Sequence, residues 1–98
     1  MSDDKPLLLF FTSERSGPAR RMESLLAHFA RKERTRMRIM RVDVEQQPEL
    51  TERFRATAVP TLVLVKGKQV VERLEGRVSP PKIEAMLAEH LAAPAAAI

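Results

Sequence analysis

An uninterrupted apolar run, Leu7 to Phe11, is the feature that most constrains the fold of this chain. A β-strand presents alternate side chains to opposite faces of a sheet, so a run without polar alternation predicts a strand buried on both faces. Such a strand lies inside a sheet that is covered by helices on both sides. The run therefore favours an α/β fold with this strand at its centre.

After a polar loop from Thr12 to Arg15, capping residues and a periodic apolar stripe predict a long helix. Ser16 is a suitable N-cap, and Gly17 and Pro18 are residues that the start of a helix tolerates. Apolar residues then recur at the i, i+3, i+4, i+7 spacing of one buried face, at Met22, Leu25, Leu26 and Phe29. We expect this helix to end within residues 31–34.

The later segments complete an alternating order of strands and helices. They are a strand within residues 36–44, a short helix from Pro48 through Phe54 with Leu50 and Phe54 on its buried side, strands over 61–65 and 69–74, and a last helix from Ser79. The turn Lys66-Gly67-Lys68 joins the last two strands. The order β-α-β-α-β-β-α, with a right-handed crossover between the first two strands, predicts a three-layer α/β/α sandwich around a four-stranded mixed sheet.

Length and composition bound the number of domains and the cellular compartment. A chain of 98 residues suits one domain, which we expect over residues 1–91, with a frayed alanine-rich tail over residues 92–98. No apolar run is long enough to span a membrane, and the acidic start differs from a secretory signal. We therefore expect a cytoplasmic protein.

The chain is basic, with a formal net charge of +4 and a pI of about 10.1. Clustered arginine favours an acidic protein partner or a nucleic acid, although it is also a common solvated surface residue. The phenylalanines all lie in predicted core segments, which leaves no aromatic platform for stacking single-stranded bases. We therefore expect a protein or peptide partner rather than a nucleic acid.

Several short motifs occur in an order that is typical of one family. They are the Ser16-Gly17-Pro18-Ala19 turn after the first strand, the stretch Val42 to Pro48, the tripeptide Val59-Pro60-Thr61 before the third strand, the Lys66-Gly67-Lys68 turn and Gly76. In this order they make the chain from Leu7 to Leu91 similar to the thioredoxin-like family. The resemblance implies a thioredoxin fold without the family's additional N-terminal strand and helix, and a cis bond before Pro60.

The chain departs from the family at the residues that carry its redox chemistry. The resemblance aligns Ser16 and Ala19 with the two motif cysteines, Arg15 with the preceding tryptophan, and Phe10 with a buried aspartate. Thiol–disulfide exchange requires a thiolate and passes through a mixed disulfide, and this chain contains no cysteine. We therefore expect no oxidoreductase activity and no cofactor.

The family's substrate groove is the candidate site. The resemblance implies a groove between Ser16 and the segment Val59-Pro60-Thr61, where an extended peptide pairs with the backbone. Basic residues at the start of the long helix, where free N–H groups favour anions, extend this candidate site: Arg15, Ser16, Arg20 and Arg21. The alternative is that Ser16 only caps the helix, the arginines are solvated, and Pro60 only connects helix to strand.

Other functions are weaker alternatives on this sequence. Glutathione or another small anion could bind at the helix start, with Ser16 assisting, as in some thioredoxin-fold transferases. Serine catalysis needs a base beside the hydroxyl. His28 lies about three turns along the helix that follows Ser16, and His90 lies near the end of the last predicted helix. Two isolated histidines also predict no metal site.

If the family's N-terminal strand is absent, the strand within Arg36–Val42 becomes an edge of the sheet. Arginines at positions 36, 38 and 41 could protect such an edge from pairing with other chains. Alternatively, the edge could pair symmetrically with a second copy, so that the protein is either a monomer or an edge-strand dimer.

Overall fold

A computed structural model describes residues 5–91, so the predicted tail over residues 92–98 lies outside the described residues. The elements in chain order are β1 (Leu7–Thr12), α1 (Gly17–Lys32), β2 (Arg38–Asp43), α2 (Pro48–Arg53), β3 (Thr61–Lys66), β4 (Gln69–Glu75) and α3 (Pro80–His90). This is the predicted order β-α-β-α-β-β-α. Within residues 5–91, no helix is both long enough and apolar enough to cross a membrane.

The four strands form one mixed sheet in the order β2-β1-β3-β4. β1 runs parallel to β2 and antiparallel to β3, and β4 pairs antiparallel with β3. β1 is therefore an interior strand, and Leu8 to Phe11 are all at most 2% exposed. Within the described residues, β2 and β4 are the two edges of the sheet.

The side chains of β1 alternate between two apolar clusters, one on each face of the sheet. Leu8 and Phe10 belong to the larger cluster, which α1 and α3 cover with Phe29, Ile83 and other apolar residues. On the opposite face, Leu9 and Phe11 pack with Val42, Ala56 and Val63, against which the residues of α2 are only partly buried. The three-layer α/β/α sandwich is therefore confirmed.

The ends of the elements differ slightly from the sequence-based expectation. α2 ends at Arg53, so Phe54 follows the helix as its C-cap rather than forming its last turn. Phe54 still packs against Phe11, with the ring centroids 6.0 Å apart. The turn between β3 and β4 places Gly67 at φ 59° and Lys68 at φ 68°, which is the left-handed pair that a tight hairpin turn requires.

The start of α1 follows the predicted capping pattern. Ser16 is the N-cap, and its hydroxyl oxygen accepts a hydrogen bond from the Ala19 backbone N–H at 3.1 Å. Pro18 occupies the first turn, where its missing N–H costs nothing. The Ser16 hydroxyl therefore has a local structural role in α1.

Replacing Ser16 by alanine removes this capping hydrogen bond. We expect the Ser16→Ala variant to lose about 1 kcal/mol of unfolding free energy in urea denaturation. Ser79→Ala is the matched control, because Ser79 is the N-cap of α3 but makes no side-chain cap hydrogen bond. An equal loss in both variants would contradict a stabilising role for the Ser16 hydroxyl.

Candidate functional site

Two separate segments of the predicted groove lie at the same end of the sheet. β1 ends at Thr12 and leads through a short loop to Ser16, whereas β3 begins at Thr61, directly after Pro60. Because Phe11 pairs with Thr61 across the two strands, the end of β1 and the start of β3 are neighbours. The start of α1 and the segment Val59–Thr61 therefore flank one edge of the fold.

Local hydrogen bonds hold the loop that carries Arg15 and Ser16. The Ser13 hydroxyl accepts from the Arg15 backbone N–H at 3.2 Å, and the Ser13 carbonyl accepts from the Ser16 backbone N–H at 3.0 Å. Ser13 is buried, so this turn is anchored in the protein interior. Sequence reasoning did not identify Ser13, which follows β1 and holds the turn by accepting hydrogen bonds from the backbone N–H groups of Arg15 and Ser16.

The segment that precedes β3 is fixed at both of its ends. The Val59–Pro60 peptide bond is cis. The Thr61 hydroxyl donates to the Ala58 carbonyl at 2.6 Å, and the Gly76 backbone N–H donates to the Pro60 carbonyl at 2.8 Å. Gly76 has a φ of 80°, which favours glycine, so the residue after β4 also shapes this side of the site.

The arginines at the start of α1 are exposed, and the first turn of this helix contains no acidic residue. The Arg15 side chain is 87% exposed and forms an ion pair with Glu45, with Nε 3.2 Å from Oε2. The Arg21 guanidinium lies close to Gly17. Sequence reasoning missed Glu45, because this contact depends on how β1 and β2 end beside each other.

An open pocket lies beside the first turns of α1. Its volume is about 440 Å³, and it is lined by Gly17, Arg20, Arg21, Glu23 and Ser24. Helix N-termini favour anions, and the two arginines add positive charge to that end of the helix. The arrangement can hold an acidic group. The carboxylate of Glu23 also lines the pocket, so it would repel a ligand that carries more negative charge.

Thr12 contributes a buried hydroxyl at the base of the site. Its side chain is fully buried, and its Oγ1 atom has no hydrogen-bond partner within the described part of the chain. Thr12 follows Phe11 in β1, so its side chain points to the sheet face that α1 covers. Sequence reasoning placed this residue in a polar loop, whereas the structure places it at the end of the strand.

The two histidines do not join the candidate site. His28 is exposed on α1, and His90 lies at the end of α3, where its backbone carbonyl accepts from Lys66 at the far end of β3. The His90 Nε2 atom is 3.0 Å from Glu72 and 3.9 Å from Glu89. The fold therefore brings Glu72, which is 18 residues away in sequence, to His90, and neither histidine lies beside Ser16.

Comparisons with known proteins agree with this geometry. The family model named Thioredoxin matches residues 1–89. The chain belongs to the thioredoxin family. It is 35% identical over 88 residues to the thioredoxin of Alicyclobacillus acidocaldarius, covering 90% of this chain and 84% of that protein. It is 33% identical over 75 residues to Thioredoxin-1 of Drosophila yakuba, covering 76% of this chain and 70% of that protein.

Solved structures of thioredoxins superpose on the same fold. The germline-specific thioredoxin Deadhead of Drosophila melanogaster matches with a TM-score of 0.84 and 31% identity, over 90% of this chain and 83% of that one. The thioredoxin NaTrxh of Nicotiana alata has a TM-score of 0.86 at 24% identity, over 93% of this chain and 77% of that one, a likeness of fold alone. Within this family, the present chain contains no cysteine.

The expected correspondence of Ser16 and Ala19 to the family's two motif cysteines can be tested by introducing cysteine at both positions. We expect the Ser16→Cys/Ala19→Cys variant to form an intramolecular disulfide under mild oxidation, because the two positions are neighbours in the first turn of α1. Thiol titration and intact mass would show the loss of both thiols. In the Ser16→Cys single variant, the thiol should stay free in the monomer, because the chain has no second cysteine to pair with it. Two free thiols in the oxidised double variant would contradict this geometry.

Proposed function

We propose that this chain is a redox-inactive, thioredoxin-like protein-binding module. It recognises an extended peptide or acidic loop at the former active-site groove, which we define as Arg15, Ser16, Arg20, Arg21 and the segment Val59–Thr61. The observation that carries the proposal is the exposed basic start of α1 at the same end of the sheet as that segment. A module of this kind binds without catalysing a reaction.

The absence of thiols supports a role without redox chemistry. Thiol–disulfide exchange needs a thiolate to attack and a second thiol to resolve the mixed disulfide. Ser16 offers a hydroxyl that caps α1, and Ala19 offers no reactive group. The buried Phe10 is also part of the larger apolar cluster, so this position contributes to packing rather than to proton transfer.

The charges at the groove support an acidic partner. Arg20 and Arg21 lie in the first turns of α1, where positive side chains oppose the helix dipole and so do not stabilise the helix. Guanidinium groups can donate two hydrogen bonds to one carboxylate, which suits recognition of acidic side chains. Arg15 is held by Glu45 in an exposed ion pair, and a partner carboxylate could replace Glu45 at little cost.

Charge reversal at the groove tests this proposal. We expect the Arg15→Glu/Arg20→Glu variant to bind an acidic partner at least about tenfold more weakly, because attraction at the groove becomes repulsion. The melting temperature should change little, since both side chains are exposed. The matched control is Arg31→Glu/Arg34→Glu, which makes the same charge change in the last turn of α1 and just after its C-cap.

The partner would be found by pull-down from the source organism's lysate at moderate salt, with the wild type and both variants as baits. Identified partners are then titrated into 15N-labelled protein. Amide shifts at Ser16, Ala19, Thr61 and Gly76 that are lost in the groove variant would support the proposal. Equal recovery by the wild type and the groove variant would contradict it.

Binding of glutathione or another small anion is the second candidate, and the open pocket at Gly17, Arg20 and Arg21 favours it. In this case, Ser16 would lie beside the ligand without catalysing its transfer. Millimolar glutathione should then shift the amides of Gly17 and Arg20, and S-methylglutathione should give the same shifts. Unchanged spectra at these amides would exclude this candidate and leave the protein-binding proposal untouched.

A further inference from the structure

The outer edge of β2 has backbone groups available for pairing within the described part of the chain. The Arg38 backbone N–H donates to the Pro6 carbonyl at 2.9 Å, and the Val44 N–H donates to the Thr12 carbonyl at 2.9 Å. Backbone groups alternate along a strand, so residues with even numbers in β2 point their N–H and carbonyl groups toward β1. Those of Ile39 and Arg41 therefore point outward, away from the sheet.

A large apolar side chain is exposed at the same edge. Met40 is 39% exposed and pairs in register with the buried Leu9 of β1. The other large apolar side chain exposed among the described residues is Val70, at 47%, on the opposite edge strand β4. Exposed edges are usually protected by charge, and Met40 interrupts that protection at the centre of β2.

We propose that two copies of this chain pair antiparallel through β2, with Met40 facing Met40 of the second copy across the dyad. In this register, Arg38 faces Val42 and Ile39 faces Arg41 of the second copy. The sheets of both copies then join into one continuous sheet. The proposal concerns a surface separate from the groove, so it stands or falls independently of the proposed function.

Charge selects this register over its neighbours. In an antiparallel pair, residues whose backbone groups point outward must face each other, because they exchange the hydrogen bonds. The register can therefore shift only so that the odd-numbered residues of β2, such as Ile39 and Arg41, still face odd-numbered residues of the second copy. A shift toward the end of β2 places Arg41 opposite Arg41, which is unfavourable because like charges face each other directly. A shift toward its start leaves fewer strand residues paired. The Met40-centred register pairs Arg38 through Val42 without opposing two arginines.

Arg41 is the arginine that lies nearest to its own counterpart across the dyad, and a carboxylate of the same copy partly neutralises it. In the proposed register, the two Arg41 side chains are diagonal neighbours on the face covered by α1. Arg41 forms an ion pair with Glu23 of α1, with Nη2 3.2 Å from Oε2. Two arginines and two glutamates would therefore meet at the dyad, so the positive charges there are compensated.

Two surface substitutions with the same chemistry separate β2 from the other edge. Sedimentation equilibrium of the full 98-residue chain over micromolar to millimolar concentrations should show a reversible monomer–dimer equilibrium. Met40→Arg should raise the dimer Kd at least about tenfold, because it places two like charges face to face. Val70→Arg, the matched control, should leave the Kd unchanged.

Amide hydrogen exchange provides a residue-specific readout of the interface. At concentrations that favour the dimer, the Ile39 and Arg41 amides should become protected, because each would donate to a carbonyl of the second copy. The Arg38, Met40 and Val42 amides point toward β1 and should exchange alike at low and high concentration. Protection confined to alternate residues of β2 distinguishes strand pairing from non-specific association.

Cross-linking tests the dyad directly, since the chain contains no cysteine of its own. Met40→Cys should oxidise to a covalent dimer, because directly opposed residues in an antiparallel pair have Cβ atoms about 4.5–5.5 Å apart. Val70→Cys should form a covalent dimer at least about tenfold more slowly, as diffusional encounters alone bring its thiols together.

The outcomes are decisive for the β2 interface. A monomer at every concentration would overturn the proposal, and so would a dimer that resists Met40→Arg or is broken by Val70→Arg. A dimer lost only with Met40→Arg, with alternating protection in β2, would support it. Because Met40 is partly exposed at a sheet edge, its variants should keep the wild-type circular dichroism spectrum, and an altered spectrum would contradict its assigned place at the surface.

Discussion

The two-sided burial of β1 is the constraint on which the rest of the structure depends. Leu8 to Phe11 expose at most 2% of their surface, so apolar cover is needed on both faces of the sheet at once. α1 and α3 provide this cover on one face, and α2 with its flanking residues provides it on the other. The central strand thus requires helices on both faces of the sheet, which sets the number of layers at three.

The central strand β1 also determines where the candidate site lies. The loop that carries Arg15 and Ser16 leaves β1 at Thr12, and the segment before β3 joins the sheet beside Phe11. On the α2 side, Arg73 of β4 donates to the carbonyls of Phe54 and Arg55 and so holds the end of α2. The start of α1 and the segment Val59–Thr61 are therefore both attached to strands of the packed core.

Much of the fold was predictable because its signals are local. The apolar run of β1, the Ser16 cap and the hairpin glycine each indicate a helix, strand or turn through residues that are close in sequence. The match of the thioredoxin family model to residues 1–89 agrees with the order of these elements. Glu45 as the partner of Arg15 and Gly76 as the donor to Pro60 were not predictable, because these contacts join residues far apart in sequence. Charge and periodicity alone could not indicate them.

The absence of cysteine has a kinetic consequence for any partner that binds this chain. A thiolate can hold a weakly bound protein through a covalent bond for as long as that bond survives. Ser16 and Ala19 offer no such bond, so the residence time of a complex follows from the strength of non-covalent contacts alone. For a partner bound as proposed, dissociation therefore does not depend on thiol–disulfide exchange with this chain.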